Sequence, residues 1–320
     1  MAILNGTVCR ISQFHFICFP ELNSGRYLLS IPLAALMLSS LVTNSIFMIA
    51  VYMDPGLQQP MYYFLSMLAA VDILMCIVST PTTLNIFWFE DNVIDSITCF
   101  TQMYFINTCI GLESALFLIL AFDRYISICH PFRYPIIMTP GMVIKASLLM
   151  LARSLVLSLP LPFLAAFLNY CSSSDIVHCF CETQAVVMLS SSDHTPMSLY
   201  RLTTTSIVLG SDLLFIIFSY AMIIQAVLKL DHVGAAMKAC RTCSSHLILI
   251  LFFYSTIITI LVSNHAAIPI PRPSHVLLSL LHHLVPPALN PIVYGIRTKE
   301  IRLALRRLLG RMQVFPRVGT

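Results

Sequence analysis

Long apolar stretches alternate with short polar segments along almost the whole chain. A run of about 20 apolar residues is the length that an α-helix needs to cross the hydrocarbon core of a bilayer. The pattern predicts seven membrane-spanning helices, over residues 27–52, 60–89, 99–129, 141–168, 199–228, 243–264 and 274–296.

Composition supports the same interpretation. Of the 320 residues, 58% are hydrophobic and 10% are charged, whereas soluble domains are about 45–50% apolar and about 25% charged. Most soluble folds are therefore excluded, and seven spans leave no room for a large soluble domain. The net charge of +4 does not indicate a nucleic-acid partner, because the basic residues concentrate in a few loops and at one end.

The distribution of Lys and Arg gives the spans an orientation, because short cytoplasmic loops carry an excess of these residues. The basic side is therefore predicted to be cytoplasmic, with the N-terminus outside and the C-terminus inside. The basic residues on that side are Arg133, Lys145, Lys229, Lys238, Arg241, Arg297, Lys299, Arg302, Arg306, Arg307, Arg311 and Arg317.

This orientation divides the chain into three parts. Residues 1–26 form an extracellular N-terminus, in which Asn5-Gly6-Thr7 is a glycosylation sequon. Residues 27–296 form the seven-helix domain, and residues 297–320 form a cytoplasmic tail. In the tail, one face carries Ile301, Leu305, Leu308 and Leu309, and the other carries Arg302, Arg306 and their basic neighbours. This is typical of a short amphipathic helix that lies on membrane lipid.

Charged side chains within the spans need a physical reason. A charge at the bilayer centre costs about 2.5–3.5 kcal/mol, and less near the interface. Asp123 and Arg124 at the end of the third span are either an interfacial anchor or a switch. Asp72 and Glu113 are acids at similar depth in neighbouring spans. They are protonated, paired or bound to a cation.

Four motifs stand in order along the chain. They begin at Leu57 (LQQPMYYFL), Leu120 (LAFDRYISIC), Lys238 (KACRTCSSHL) and Pro286 (PPALNPIVYGIR). Together they resemble the odorant receptors, a branch of the rhodopsin-like G protein-coupled receptors, over essentially the whole chain. Further features resemble the class I, or fish-like, subgroup: Arg153, Pro160-Leu161-Pro162, His178 and Gly210-Ser211-Asp212.

The resemblance implies a function and a fold. The fold is an all-α membrane protein, a bundle of seven transmembrane helices followed by the short cytoplasmic helix. The function is binding of a small odorant and activation of a stimulatory, olfactory-type heterotrimeric G protein that raises cyclic AMP. The implied location is the plasma membrane of olfactory cilia; a role of the same receptor type in another tissue remains an alternative.

The resemblance also assigns roles to individual residues. Asp72, Glu113 and Asn290 suggest a sodium site, while a protonated pair that packs the bundle is the alternative. No other cofactor is expected. Asp123 is expected to hold Arg124 at rest, and Asn290-Pro291 to act as a hinge. The switch and G-protein-coupling residues are Asp123, Arg124, Tyr125, Tyr220, Lys238, Pro291 and Tyr294.

The same resemblance implies how some of the cysteines pair. Cys99 and Cys181 match the disulfide of rhodopsin-like receptors. The family's second bridge lacks its usual partner here, because Ser190-Ser191-Ser192 stands in that region. Cys171–Cys179 is a candidate substitute and Cys9–Cys18 a further one, since connectivity does not follow from sequence.

A ligand pocket is expected in the outer half of the bundle, among spans three, five, six and seven. It is apolar with few polar groups, which suits a small, mostly hydrophobic ligand. His265 is a candidate handle for an acidic ligand, or else a hydrogen-bonded interfacial histidine. The predicted lining is Met103, Ile106, Asn107, Ile110, Gly111, Thr204, Thr205, Val208, Tyr254, Ile257, Ile258, Leu261, His265, Val276, Leu280 and His283.

Two other function classes are weighed against a receptor. A transporter would need pseudo-symmetric halves and paired broken helices, and the sequence has neither. An enzyme would need a catalytic arrangement or metal-ligand cluster in a water-accessible place, and none is found. The chain is therefore not expected to be an enzyme.

Overall fold

The computed structural model of the chain describes residues 11–20, 26–89, 91–171, 173–229, 233–265 and 271–314. These residues include three short strands: β1 (Gln13–Phe16), β2 (Val93–Asp95) and β3 (Asp175–Ile176). The α-helices are α1 (Arg26–Met53), α2 (Pro60–Trp88), α3 (Ser96–Cys129), α4 (Tyr134–Ile137), α5 (Pro140–Ser158), α6 (Pro160–Ala166), α7 (Thr183–Val187), α8 (Thr195–Leu228), α9 (Val233–His265), α10 (Arg272–Arg297) and α11 (Lys299–Val314).

Within these residues, seven helical segments are long and apolar enough to cross a membrane, which confirms the predicted bundle. They are Tyr27–Met53, Pro60–Trp88, Ser96–Cys129, Pro140–Ala166, Thr195–Leu228, His246–Ser263 and Arg272–Gly295. The fourth segment combines α5 and α6. Its division falls at Pro160, since proline has no N–H to continue a helix but suits the first helical position.

Polar loop residues define where other spans begin. The Asp95 carboxylate accepts hydrogen bonds from the backbone N–H groups of Ile97 and Thr98, at 3.0 and 3.1 Å, and so caps α3. Thr139 caps α5 by accepting from the N–H of Met142 at 3.3 Å. Each cap satisfies N–H groups that the helix itself leaves without a partner.

Helix α3 is the centre of the bundle. It packs against α2, α5, α6, α8 and α9, and Met103, Leu116 and Phe117 on it are almost fully buried. Other helices present large apolar side chains outward, such as Leu148 on α5 and Phe215 on α8. Outward apolar side chains suit contact with lipid, so tight packing and polar contacts hold the helices together.

A three-stranded sheet covers one end of the bundle, here called the sheet end; the opposite end, which carries α11, is the tail end. Strand β1 lies between β2, to which it is antiparallel, and β3, to which it is parallel. Phe14 and Phe16 are buried while Gln13 is exposed, the alternation expected of a strand with one covered face. This sheet was not predicted from the sequence.

Two disulfides between described residues fasten the sheet end. Cys99 at the start of α3 is bonded to Cys181, as the resemblance implies. Cys18, just after β1, is bonded to Cys179. The expected Cys171–Cys179 and Cys9–Cys18 pairings are therefore wrong, because Cys179 and Cys18 bond each other. Cys171 is itself disulfide-bonded.

Candidate functional site

Two neighbouring cavities lie towards the sheet end. The α5 cavity, of about 60 Å³, is lined by Asn107, Ile110, Gly111, Arg153, Ser154, Leu157, Ser158, Leu161, Tyr200, Arg201, Thr204, Thr205, Val208 and Leu209. The α9 cavity, of about 90 Å³, is lined by Ile106, Asn107, Ile110, Phe180, Glu182, Thr183, Arg201, Thr205, Leu209, Ile257, Ile260, Leu261, Ser279, His282 and His283.

The two cavities share a wall. Asn107, Ile110, Arg201, Thr205 and Leu209 line both. The last three follow each other at intervals of four residues on α8, so they lie on one face of that helix. The cavities are therefore two halves of one site. Arg201, Thr205 and Leu209, here called the α8 stripe, run between the halves from a charged residue to an apolar one.

Much of the predicted lining faces these cavities. The predicted residues that line one or both are Ile106, Asn107, Ile110, Gly111, Thr204, Thr205, Val208, Ile257, Leu261 and His283. They come from α3, α8, α9 and α10, the helices that the sequence analysis named.

Other predicted lining residues lie elsewhere. Met103, Tyr254, Val276 and Leu280 are buried in helix packing and line neither cavity. Ile258 was wrongly predicted: it is 47% exposed, because a helix that turns Ile257 inward turns the next residue away. The side chain of His265, like the whole of Asn5, lies outside the described residues.

Arg201 is a lining residue that the sequence analysis missed. It is only 8% exposed, and its Nη2 donates a hydrogen bond to Oε1 of Gln184. Its Nε has no hydrogen-bond partner among the described residues. Arg201 was not singled out from the sequence, although a charged residue inside the predicted fifth span, residues 199–228, was a signal that could have found it.

A second arginine belongs to a hydrogen-bonded network, although its Nε, like that of Arg201, has no partner among the described residues. Arg153 on α5 donates to both carboxylate oxygens of Asp212 on α8, at 2.8 and 2.7 Å. Ser114 on α3 donates to the same carboxylate at 2.6 Å and lies 2.9 Å from the Tyr254 hydroxyl on α9. Four helices are thereby joined beside the cavities, since Arg153 also lines the α5 cavity.

Close packing accompanies this network. Arg153 Nη2 lies 3.4 Å from the carbonyl oxygen of Gly111. A Cβ at position 111 would lie 3.1 Å from Oγ of Ser154, so glycine allows α3 and α5 to approach.

The loop before α7 covers the α9 cavity. Glu182 caps α7 by accepting from the N–H of Ala185 at 2.7 Å, and Asn107 on α3 donates to Thr183 at 2.9 Å. Together with the Cys99–Cys181 bond, these contacts fasten the cover to α3.

His178 lies in the same cover. Its ring centroid is 4.2 Å from that of Phe180, and neither ring nitrogen has a hydrogen-bond partner among the described residues. Burial first, and then the nearby His275 and His283, lower the pKa of His178 to about 3. His178 is therefore neutral near pH 7 and packs as an apolar ring.

The two buried acids lie deeper in the bundle. Asp72 Oδ2 accepts a hydrogen bond from Asn290 Nδ2 at 2.9 Å, and Glu113 is close enough to act on Asp72 electrostatically. Asp72 Oδ1 and Asn290 Oδ1 are buried without hydrogen-bond partners in the described part of the chain. Free buried oxygen atoms are suitable ligands for a hard cation, so the residues fit a sodium ion.

The described residues contain no group of three or more His, Cys, Asp or Glu placed to hold a metal. The sodium proposal therefore depends on the Asn290 amide as well as on the two acids.

At the tail end, the partner of Asp123 differs from the expected one. Tyr134 on α4 donates to Asp123 Oδ1 at 2.8 Å, and no ion pair between Asp123 and Arg124 exists among the described residues. Burial, followed by the Asp123 charge, raises the pKa of Tyr134 above its usual range. Its hydroxyl therefore keeps the proton that it donates. Asp123 is thus hydrogen-bonded to Tyr134, and its expected hold on Arg124 in the resting receptor stays a prediction.

The remaining switch residues surround this position. Arg124 Nε and the hydroxyls of Tyr220 and Tyr294 are buried without hydrogen-bond partners among the described atoms. The Tyr125 hydroxyl lies 3.2 Å from His130 Nε2. Helix α10 continues through Pro291 as one helix. The side chain of Lys238 lies outside the described residues.

Comparison with known proteins identifies the family. Residues 33–312 match the family model described as "Olfactory receptor". Human olfactory receptor 56A4 is 42% identical over 96% of this chain and 98% of its own length. Mouse olfactory receptor 56B34 is 42% identical over 98% of this chain and 97% of its own. The chain belongs to the olfactory receptor family, and is thus a multi-pass membrane receptor for an odorant that acts through a G protein and not as an enzyme.

Proposed function

We propose that the joined α5 and α9 cavities bind a small, mostly hydrophobic odorant. We propose further that binding activates a stimulatory, olfactory-type G protein and raises cyclic AMP. The observation that carries the proposal is the site itself, a mostly apolar space between α3, α8 and α9 under a fastened cover. Concave apolar sites with a few placed polar groups are typical of small-molecule binding.

The polar network offers a route from the cavities to α9. Arg153 lines the α5 cavity, and the network ends at the Tyr254 hydroxyl. The neighbouring Phe253 ring packs against Phe117 and His282, with centroids 5.3 Å apart in both cases. A ligand that favours one arrangement of these contacts shifts the population of α9 positions.

The tail end supplies the surface for the G protein. Arg124, Tyr220 and Tyr294 have buried polar atoms without partners, which is costly unless another arrangement satisfies them. Movement of α9 and engagement of the G protein would supply partners. Tyr125, Lys238 and Pro291 complete the proposed coupling set.

A sodium ion is proposed to bind at Asp72, Glu113 and Asn290 in the resting receptor. The check is the thermal midpoint of the purified receptor in sodium chloride and in choline chloride. Sodium should raise the midpoint of the wild type and leave that of Asp72→Asn unchanged. Equal midpoints of the wild type in both salts would contradict the site.

The proposed location is the plasma membrane of olfactory cilia, with the sheet end outside and α11 on the lipid of the inner leaflet. Fluorescent antibodies against an epitope added before Met1 should stain unpermeabilised cells. Staining that appears only after permeabilisation would contradict this orientation. The same receptor acting in another tissue would need no change in the site.

A cellular assay tests coupling. Cells that carry the chain and the olfactory stimulatory G protein are screened with a broad odorant panel, and cyclic AMP is recorded beside surface staining. We expect a dose-dependent rise with at least one odorant, and none in Arg124→Ala at equal surface staining. Signalling that persists in Arg124→Ala, or that is absent from the normally displayed wild type, would overturn the proposal.

A conservative variant tests the resting contact of Asp123. Tyr134→Phe removes the hydrogen bond to Asp123 and leaves the ring. Such a bond contributes about 1 kcal/mol, so cyclic AMP without odorant should rise by about fivefold. Unchanged basal cyclic AMP would show that Tyr134 does not hold the resting state.

A further inference from the structure

Arg201 is an unusual lining residue for a mostly apolar cavity. It lies about 9 Å along α8 from the start of that helix and is more than nine-tenths buried. In the described residues the ion pairs join Arg153 to Asp212 and Arg307 to Asp54, so no carboxylate there pairs with Arg201. A buried cation whose charge is not compensated is strongly destabilising.

Neutral contacts compensate Arg201 only in part. Gln184 accepts one hydrogen bond from Nη2, and Nε is buried without a partner among the described residues. A guanidinium presents its N–H groups in a fixed fork that matches a carboxylate. The side chain lines both cavities, so an anion in either one meets it.

The nearby carboxylate of Glu182 needs separate treatment. Glu182 acts on Arg201 electrostatically, lines the α9 cavity and is partly exposed. Its Oε2 is occupied in capping α7. Solvent therefore screens Glu182 more than Arg201. It weakens an anion site without abolishing it.

The α8 stripe defines the rest of the ligand. Below Arg201 come the Thr205 hydroxyl and then Leu209, which lies about 12 Å further along the helix. Ile110 and Ile257 line the α9 cavity together with Leu209. A ligand with an anionic head and an apolar tail of that length meets a charge at one end and apolar side chains at the other.

We infer that Arg201 is the anchor for the carboxylate of a medium-chain fatty acid, whose alkyl tail lies along Thr205 and Leu209. The inference rests on the proposed odorant site and specifies the chemical class of its ligand. It also assigns the acid-binding role to Arg201 instead of His265.

The test is a binding measurement on the purified full-length receptor, so that it does not depend on G-protein coupling. Thermal midpoints are recorded with straight-chain acids from butanoic to decanoic and with the corresponding amides, which are neutral and nearly isosteric. We expect octanoic acid to raise the midpoint as far as octanamide does at a concentration at least about tenfold lower. The reason is that a charge-assisted hydrogen bond is about twice as strong as a neutral one.

Variants separate the anchor from a structural role. Arg201→Gln should remove the preference for acid over amide, Arg201→Lys should retain part of it, and Glu182→Gln should lower the acid concentration needed by about threefold. Equal effects of acids and amides on the wild type, or no effect of any acid, would overturn the inference. An unchanged preference for acid over amide in Arg201→Gln would also overturn the inference. If that variant does not fold, the inference is overturned when Glu182→Gln needs a higher acid concentration than the wild type. Loss of cyclic AMP signalling with intact acid binding would instead count against the proposed coupling.

Discussion

Arg153 and Arg201 line the same pair of cavities in different surroundings. Arg153 is 27% exposed and donates to both oxygens of Asp212, which is 2% exposed. Arg201 is more deeply buried and has the neutral Gln184 as its partner. A buried charge needs a good partner more than an exposed one does. Here the less buried Arg153 has the carboxylate, and the more buried Arg201 has the neutral amide.

The difference separates structure from recognition. A cation already paired by a carboxylate has little to gain from an anionic ligand, so Arg153 and Asp212 join α5 to α8. Arg201 has no carboxylate in an ion pair with it among the described residues, and its buried Nε has no hydrogen-bond partner there. The two arginines thus differ in role: Arg153 supports the bundle, and Arg201 is the one that we propose selects the ligand.

The largest loss of stability should follow when Arg153, like Arg201, is left without a carboxylate partner. Asp212→Asn removes the carboxylate and leaves Arg153 with neutral partners. Removal of one member of a buried ion pair costs about 3 kcal/mol or more. The thermal midpoint of the purified receptor and the fraction displayed at the cell surface should both fall.

A matched double variant is the control for that prediction. Arg153→Met combined with Asp212→Leu removes both charges at similar volume, so most of the lost stability should return. A midpoint for Asp212→Asn equal to that of the wild type would show that the ion pair does not support the bundle.

The converse change gives Arg201 the partner that it lacks. Gln184→Glu puts a carboxylate where an amide oxygen now accepts from Arg201. A hydrogen bond to a charged group contributes about 2 kcal/mol, so the thermal midpoint should rise. Octanoic acid should then stabilise the receptor much less, and undiminished stabilisation would contradict the anchor.

A smaller effect should come from the close approach beside Arg153. In Gly111→Ala the new Cβ meets Ser154 Oγ at 3.1 Å, and overpacking of this kind costs about 1 kcal/mol. Gly210→Ala on α8 is the control, because no neighbouring atom lies within 4 Å of its Cβ. Its midpoint should stay or rise. Equal changes in the thermal midpoints of the two variants would contradict a close contact between positions 111 and 154.

The sequence was sufficient for the features that depend on long apolar stretches. Seven spans follow from hydropathy alone, because each helix must satisfy its own backbone in lipid. Ile106, Ile110 and Thr205, which were predicted to line a pocket, do line the cavities, since neighbours three and four positions apart share a helix face.

Tertiary contacts that join distant short segments did not follow from the sequence. Strand β1 has four residues, too few for a periodic signal, and the Cys18–Cys179 bond joins segments that only the folded chain brings together. The adjacency of Asp123 and Arg124 suggested a pair, yet adjacent helix residues point in different directions. Tyr134, from the next helix, reaches Asp123 instead.

One measurement compares the two arginines directly. Thermal midpoints of the wild type, Arg153→Gln and Arg201→Gln are recorded with and without octanoic acid. Arg153→Gln leaves Asp212 without its cation, so its midpoint should fall and octanoic acid should still raise it. Arg201→Gln should keep or exceed the wild-type midpoint and lose the response to the acid. A stable Arg153→Gln, or an Arg201→Gln that responds to octanoic acid as the wild type does, would contradict the division of roles between the two arginines.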